Sequence, residues 1–288
     1  MKKFLFRLVL ALVVLILVVV GGVQFLFSRE QARIYQAPSF SIHDEVAKAD
    51  VELGHRLYAV RNGCVHCHGV DLAGAKVMEN PAMGTVYGAN LTPANLKDWS
   101  DEEIARAIRY GIHKSGRSLQ FMPSHDYQGL AKSDVAALVA YLKSMPAVDK
   151  PSPINKFGPV AKTLSVLGKM PVMFPAKFID QTRGFDEKPA EGPSAEFGKY
   201  LAGSCMGCHG TAFRGGKIAG GDPSWPAASD IRLGMNPKWT EESFRQAMKT
   251  GMSPVTGNKI RPPMPVAMLA QMNDDELKAL WLFLSSLH

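Results

Sequence analysis

Outside two short motifs this 288-residue chain has no cysteine: all four fall in Cys64-Val65-His66-Cys67-His68 and Cys205-Met206-Gly207-Cys208-His209. None is left over for a disulfide framework, and a chain of this length buries a core without covalent staples. Charge is sparse too, at 20% against 46% hydrophobic residues, which is a globular composition and not a disordered one. The net charge of +7 is spread out. Residues 1–30 carry four basic groups against one acidic, residues 31–150 thirteen of each, and residues 151–288 sixteen against twelve. With no basic stripe, nucleic acid is not an expected partner. Nor does any stretch alternate apolar and polar residues over a useful length. The expected fold class is therefore all-α.

What is there begins with the two motifs. CxxCH is the attachment signature of c-type haem. On a helical turn, positions i, i+3 and i+4 share a face. Cys64 and Cys67, or Cys205 and Cys208, can then bond to the two vinyl groups of one haem while His68, or His209, reaches its iron. Two covalently bound haems are expected. A disulfide pairing leaves the two histidines unexplained, and a zinc site fits poorly with CxxC pairs 141 residues apart.

The amino terminus reads Met1-Lys2-Lys3, then Arg7, then an apolar run from Leu8 to Phe27. Twenty residues at about 1.5 Å each match a hydrocarbon core of roughly 30 Å. The run is longer than an ordinary signal-peptide core, no Ala-X-Ala-like site closes it, and no lipidation cysteine follows. Residues 1–30 are expected to be an uncleaved single-pass anchor, spanning the membrane with residues 8–27. Lys2, Lys3 and Arg7 would hold the amino end in the cytoplasm. The rest of the chain would then lie on the periplasmic side of a bacterial inner membrane, where c-type haem is attached.

The chain also repeats itself. Cys64 answers to Cys205, Trp99-Ser100-Asp101-Glu102-Glu103-Ile104 to Trp239-Thr240-Glu241-Glu242-Ser243-Phe244, Gly111 to Gly251, Met122-Pro123 to Met264-Pro265, and Tyr141-Leu142 to Phe283-Leu284. A period near 141 residues makes this a duplicated domain. The expected units are an anchor (1–30), a first domain (31–145), a proline-rich connector (146–193) and a second domain (194–288).

Val46, Leu53, Leu57 and Val60 recur at helical spacing and predict one helix leading to Cys64. Ser100 with Glu103 predicts a capping box, and Ile104, Ala107 and Ile108 a buried stripe that Gly111 ends. Another helix is expected from Ser133-Asp134 to just before Pro146, burying Val135, Leu138, Val139 and Leu142. Asn273 with Glu276 caps the last helix, whose stripe is Leu277, Leu280, Trp281 and Leu284. In the connector, eight prolines from Pro146 to Pro193 predict an extended, stiff segment. Its apolar part, Val160 to Phe178, is expected to pack along a surface.

The sixth iron ligand decides between electron transfer and catalysis. Met122 lies 54 residues after His68 and Met264 lies 55 after His209, each followed by proline and by a helix. A thioether there would favour the ferrous state and close the site to substrates. His125 and His113 in the first domain, and Met252 and Met268 in the second, are the rival ligands. His43, His55, His66 and His288 are read as surface residues, and Arg106 and Arg109 as part of a solvated helix face. Trp99 and Trp239 suit either the core or a hydrogen bond from the indole N–H to a haem propionate.

Both CxxCHG motifs, the phrase Gly88-Ala89-Asn90-Leu91-Thr92-Pro93, the run Trp99 to Gly111, and a Met-Pro loop before a helix ending in Tyr141-Leu142 carry a family resemblance. The chain resembles bacterial dihaem c-type cytochromes, and in particular the tandem-domain cytochrome c subunits of membrane-bound alcohol and gluconate dehydrogenases. The likeness covers residues 45–145 and, more loosely, 195–287. Those subunits usually carry three haems, whereas two motifs are present here and the anchor is N-terminal. The resemblance implies two tandem class I-like cytochrome c domains that pass single electrons. Their partners would be redox proteins: a dehydrogenase subunit, a quinol-oxidising complex or an oxidase. An electron-transfer protein, or a subunit of an oxidoreductase complex, is expected more than an enzyme with its own substrate. The alternatives are a dihaem enzyme that oxidises thiosulfate or reduces peroxide, and the haem subunit of a terminal oxidase.

Overall fold

The computed structural model describes residues 1–218, 221 and 224–288. Helix α1 (Lys2–Ala32) exposes its apolar side chains on nearly every face; Phe27 is the one residue it buries. Among the described residues it is the one helix long and apolar enough to cross a membrane.

The first copy opens with two short helices, α2 (His43–Ala47) and α3 (Val51–Arg56), where the periodicity predicts one. The break falls at Asp50, whose carboxylate accepts from the amides of Glu52 and Leu53 and so starts a new helix. A π-helical turn, Leu57–Arg61, continues α3, and the motif forms its own helical turn, Val65–His68. A hairpin of β1 (Lys76–Asn80) and β2 (Gly84–Tyr87) follows. Helix α4 (Asp101–Tyr110) carries the predicted capping box of Ser100 and Glu103 and stops at Gly111. Helix α5 (Lys132–Ser144) buries Val135, Leu138, Val139 and Leu142 as the stripe predicts.

The connecting segment departs from the extended form expected of it. Strand β3 (Lys156–Phe157) pairs with β2 to give a three-stranded sheet, too short to leave an alternating pattern. Helix α6 (Pro159–Val166) comes next, followed by single turns that start at Pro171 and Pro175. Three of the prolines expected to break helices therefore open them, because the first helical turn needs no proline N–H. Met170, Met173 and Phe174 of this segment bury a third core together with Met83 and with Phe27 of α1. Lys162 donates to Gln24 at 2.8 Å on the same contact. The predicted packing of Val160 to Phe178 along a surface is met by this core.

The second copy repeats the plan with α7 (Ala195–Leu201), the motif turn Met206–His209, α8 (Glu241–Thr250) and α9 (Asp274–Ser285). Thr240 with Ser243 caps α8, and Asn273 with Glu276 caps α9. The fold is mostly helical, two cytochrome c-like units behind an apolar helix.

Each copy is closed by one helix crossing. Where α3 meets α5, a Cβ added to Gly54 would overlap the Ala137 carbonyl and press on Tyr141; where α7 meets α9, a Cβ on Gly198 would overlap the Ala279 carbonyl and press on Phe283. Only glycine permits so close an approach of two backbones. Gly54 lies ten residues before Cys64, whereas Gly198 lies seven before Cys205. The longer stretch of the first copy holds the π-helical turn and the left-handed Gly63, where the second copy has a tight turn over Ala202–Cys205. The π-helical turn sends Val60 into the apolar core of the second copy and places Arg61 under its Phe197 ring, 5.4 Å from the centroid.

Around Arg61 runs a chain of charges across the seam between the copies. Arg61 donates to Glu276 at 2.7 Å, and Arg56 reaches the same carboxylate at 2.6 Å. The other side of the Arg61 guanidinium meets Glu191 at 2.7 Å. Glu191 pairs with Lys188 at 2.5 Å, Lys188 with Asp134 at 2.7 Å, and Asp134 accepts from the Tyr200 hydroxyl at 2.7 Å. Arg61, Asp134 and Glu276 are all buried, so each of these charges depends on its partners. Burial alone would raise the Glu276 carboxyl, but the hydrogen bonds from Arg56 and Arg61 outweigh it and hold it below the usual range. Glu191 is held down to about 2 by its hydrogen bonds from Arg61.

Arg109 corrects an expectation. It does not lie on a solvated face; it is fully buried, with its guanidinium donating to the carbonyls of Leu130, Arg183 and Gly184 and lying 4.4 Å over the Phe185 ring. The returning connector covers that face of α4, which the periodicity of α4 alone does not reveal.

Candidate haem-binding sites

The two motif turns end in the same way. Gly69 (φ 78) and Gly210 (φ 75) turn the chain sharply after each histidine, in a conformation that only glycine adopts without strain. Three residues further on, Leu72 (φ 60) and Phe213 (φ 56) are left-handed although neither is glycine. Such residues cost on the order of 1–3 kcal/mol and persist where the surroundings hold them. Here both are buried, and their carbonyls accept from Leu91 and Ile231. The same strain at matched positions marks these turns as part of the sites. The periodicity gave no hint of it.

Both histidines are buried. His68 Nδ1 lies 2.8 Å from the carbonyl of Ala89, and His209 Nδ1 lies 2.8 Å from that of Ser229. A carbonyl can only accept, so Nδ1 carries the proton and Nε2 keeps a lone pair for a metal. Burial lowers the pKa of both imidazoles and keeps them neutral. The carbonyl acceptors on Ala89 and Ser229 are part of the sites that the motifs do not name. Ala89 sits inside the Gly88-to-Pro93 phrase, whose Asn90 is wholly buried and donates to the carbonyls of Val148 and Lys150.

The four cysteines are free thiols. Burial pushes Cys64 up to about 12 and Cys205 up to about 11, with Cys67 and Cys208 raised by the same cause. Protonated thiols, Cys208 on the exposed side and the other three partly buried, suit addition to a vinyl group and suit poorly a metal cage. Among the described residues, no three His, Cys, Asp or Glu side chains gather as one.

A narrow cleft in the first copy brings Cys64, His68 and Met122 together, walled by Tyr58, Leu91, Ile108, Leu138 and Leu142. This mostly apolar wall, with a thiol, an imidazole and a thioether on it, has the donor chemistry that would hold a haem. Phe121, just before Met122, is left-handed (φ 56) and packs on the connector core. In the second copy Cys205 and Met264 pack on one core with Ile231, Trp239 and Ile260.

The rival ligands have contacts of their own. Met268 places its sulfur against Gly63 of the first copy, and Met252 is exposed on the turn that pairs with Lys259. His113 stacks edge-on to Trp99 at 4.8 Å, and His125 lies 3.5 Å from Asp126 at the seam. Trp99 and Trp239 are partly buried against the first and second cores. His43, His55, His66 and His288 are exposed as expected, although His43 meets Asp101 at 2.7 Å.

The seam brings the two sites together. The turn Ser124–Tyr127, which follows Met122, packs on Ala202–Cys205, and a Cβ on Gly207 would overlap the Asp126 carboxylate. Reciprocally, the turn Val266–Leu269, which follows Met264, packs on Leu57–Arg61. Each methionine loop thus leans on the approach to the other motif, the pattern of a two-fold pair.

Known proteins agree with this duplication. The cytochrome c family pattern matches residues 51–146 and again 195–288. Over 255 residues, 81% of this chain, the sequence is 30% identical to a nicotinate dehydrogenase subunit of Pseudomonas putida, covering 21% of that protein. It is 28% identical to the gluconate 2-dehydrogenase cytochrome c subunit of Pantoea cypripedii, over 85% of this chain and 61% of the relative. It is 26% identical to the fructose dehydrogenase cytochrome subunit of Gluconobacter japonicus, over 83% of this chain and 53% of the relative. The chain thus spans from about a fifth to about three fifths of the length of these relatives. With two motif turns, two pinned histidines and the family pattern matched in both copies, the chain belongs to the cytochrome c family, whose members carry covalently attached haem and transfer electrons.

Proposed function

We propose that this chain is a membrane-anchored dihaem cytochrome c that relays single electrons between a dehydrogenase and a downstream acceptor. The observation that carries the reading is the matched pair of histidines, each with Nδ1 on a backbone carbonyl at 2.8 Å and Nε2 free for iron. In this reading residues 31–145 and 194–288 are the haem domains and residues 146–193 join them. Residues 8–27 cross the inner membrane, with the haem domains in the periplasm. The names of the relatives favour a dehydrogenase as donor.

Haem c, when bound, supplies a one-electron iron couple. The chain's residues set how it works. Cys64 and Cys67, and Cys205 and Cys208, hold it covalently, so it cannot dissociate with either oxidation state. The carbonyls of Ala89 and Ser229 fix the orientation of His68 and His209 and raise their basicity. Met122 and Met264 would supply a second ligand to each iron, a neutral soft thioether that favours the reduced state. The leucine and isoleucine walls keep water out, and so limit the reorganisation that accompanies a change of charge.

Absorption spectra of the purified full-length protein test this. Two haems per chain are expected, falling to one in C64A/C67A or C205A/C208A. A weak band at the red end of the ferric spectrum that vanishes on reduction would report methionine ligation. High-spin features or carbon monoxide binding at neutral pH would overturn the closed, six-coordinate reading. Co-purification from membranes, with identification of the bound subunit, tests the dehydrogenase partner.

A further inference from the structure

A second opening lies away from both CxxCH motifs, where the last turns of α1 meet the connector. It is a cleft of about 580 Å³. Leu26, Phe27, Val166 and Phe174 give it an apolar floor, and Arg29, Arg33 and Lys177 stand around it with one carboxylate, Glu30. Glu30 is already shared: it accepts from the Tyr35 hydroxyl and lies 3.8 Å from Arg33 and 4.0 Å from Lys177. Arg29 has no carboxylate partner among the described residues and is exposed at the cleft. Lys162 adds a fourth cation beside the cleft, 5.7 Å over the Phe27 ring.

Depth identifies the ligand. If residues 8–27 fill the hydrocarbon core, roughly 30 Å thick, the next residues fall at the level of the lipid headgroups. Arg29, Arg33 and Lys177 then stand at phosphate depth, above an apolar floor continuous with the acyl-chain region. Three cations against one shared carboxylate favour a net negative headgroup over a zwitterionic one.

We propose that this cleft binds the headgroup of an anionic phospholipid, its phosphate among Arg29, Arg33 and Lys177 and its acyl chains along the accessible Leu26 and Val166. The proposal rests on reading residues 8–27 as a membrane span. Bound there, the lipid joins the anchor to the connector and so to the first haem domain.

The test uses the full-length protein, solubilised in mild detergent with equal phosphatidylglycerol and phosphatidylcholine, then washed and assayed for retained lipid per chain by mass spectrometry. Wild type is expected to keep phosphatidylglycerol selectively. R29Q/R33Q/K177Q is expected to bind it roughly a hundredfold more weakly, at about fivefold for each cation lost. An unchanged haem spectrum and continued sedimentation with membranes show that the variant is folded and anchored. Equal retention of the two lipids by wild type, or unchanged phosphatidylglycerol retention by the variant, overturns the site while leaving the span intact. Recovery of uncleaved wild type in the soluble fraction overturns the span, and the site with it.

Discussion

The two copies share their interiors and differ in what surrounds them. Inside, both have a histidine pinned to a carbonyl at 2.8 Å, a left-handed residue three positions after the motif glycine, and a glycine at the helix crossing. Outside, the segment that pins His68 is clamped by Asn90 to the connector, whereas the segment that pins His209 continues into Asp230, an exposed carboxylate paired with Arg232 at 2.6 Å. The last helices differ in the same sense. Helix α9 is capped by its own Asn273, but α5 starts at Ala131, which has no capping side chain. The hydroxyl of Tyr200, from the second copy, accepts from the Ala131 amide at 3.0 Å, as the Glu276 carboxylate does from the Asn273 amide in α9. Duplication kept what holding a haem requires and left the outer faces free to become a seam, a connector contact or open surface.

Breaking the seam should have the largest effect. In R61A, Glu276 loses its best buried partner and Glu191 its main one, at a cost of about 3 kcal/mol. Denaturation followed by tryptophan fluorescence and by haem absorption should then separate into two transitions; a single transition at the wild-type midpoint would show that the charges at the seam do not hold the copies together. M122L and M264L ask whether the two sites are ligated alike. Each is expected to lower one of the two midpoint potentials by about 0.1 V or more, well inside the roughly 0.8 V that axial ligands span. Redox titration of each variant should leave the other haem unchanged, and if ligation changes in neither variant the methionine assignments are wrong.

Equal behaviour is expected at the helix crossings. G54A and G198A each introduce a Cβ onto a backbone carbonyl and should destabilise by about 2 kcal/mol. A thermal shift in only one of them would mean that the crossings are not equivalent. Y200F removes two hydrogen bonds at once, the one accepted from the Ala131 amide and the one donated to the buried Asp134 carboxylate, and should cost about 2 kcal/mol in thermal denaturation; an unchanged melting temperature would show that the Tyr200 hydroxyl holds neither group. The smallest effect is that of pH. Glu191 and Glu276 have depressed folded pKa values, so their contribution is present above the unfolded value of about 4.3 and is lost as pH falls through the folded values, about 2 for Glu191. Melting temperatures measured between pH 5 and pH 3 should fall for wild type and fall less steeply for R61A.

Much of this was legible because the repeat reads twice. The motifs, the capping boxes at Ser100 and Asn273 and the stripes of α5 and α9 are local patterns, and each stands where periodicity places it. Gly54 and Gly198 could have been found by aligning Tyr141 with Phe283 and asking which small residue each faces. What stayed hidden is non-local. The buried state of Arg109 depends on carbonyls 74 and 75 residues later. Arg61 depends on Glu276, 215 residues away. The connector looked extended because its prolines were read as breaks, when several of them begin a turn. The longer stretch before Cys64 shows no signature in composition, yet it carries Val60 and Arg61 across the seam.

Phe27 bears on how such a carrier meets its partners. With its ring buried in the connector core, the end of α1 is part of the first domain and not a loose tether. A domain on a leash samples a hemisphere of positions and can shuttle between distant partners. With residues 8–27 in a bilayer, as proposed, a domain mounted on such a stiff post would keep a single height and orientation above the membrane, and a donor and an acceptor would both have to come to it, each on its own side.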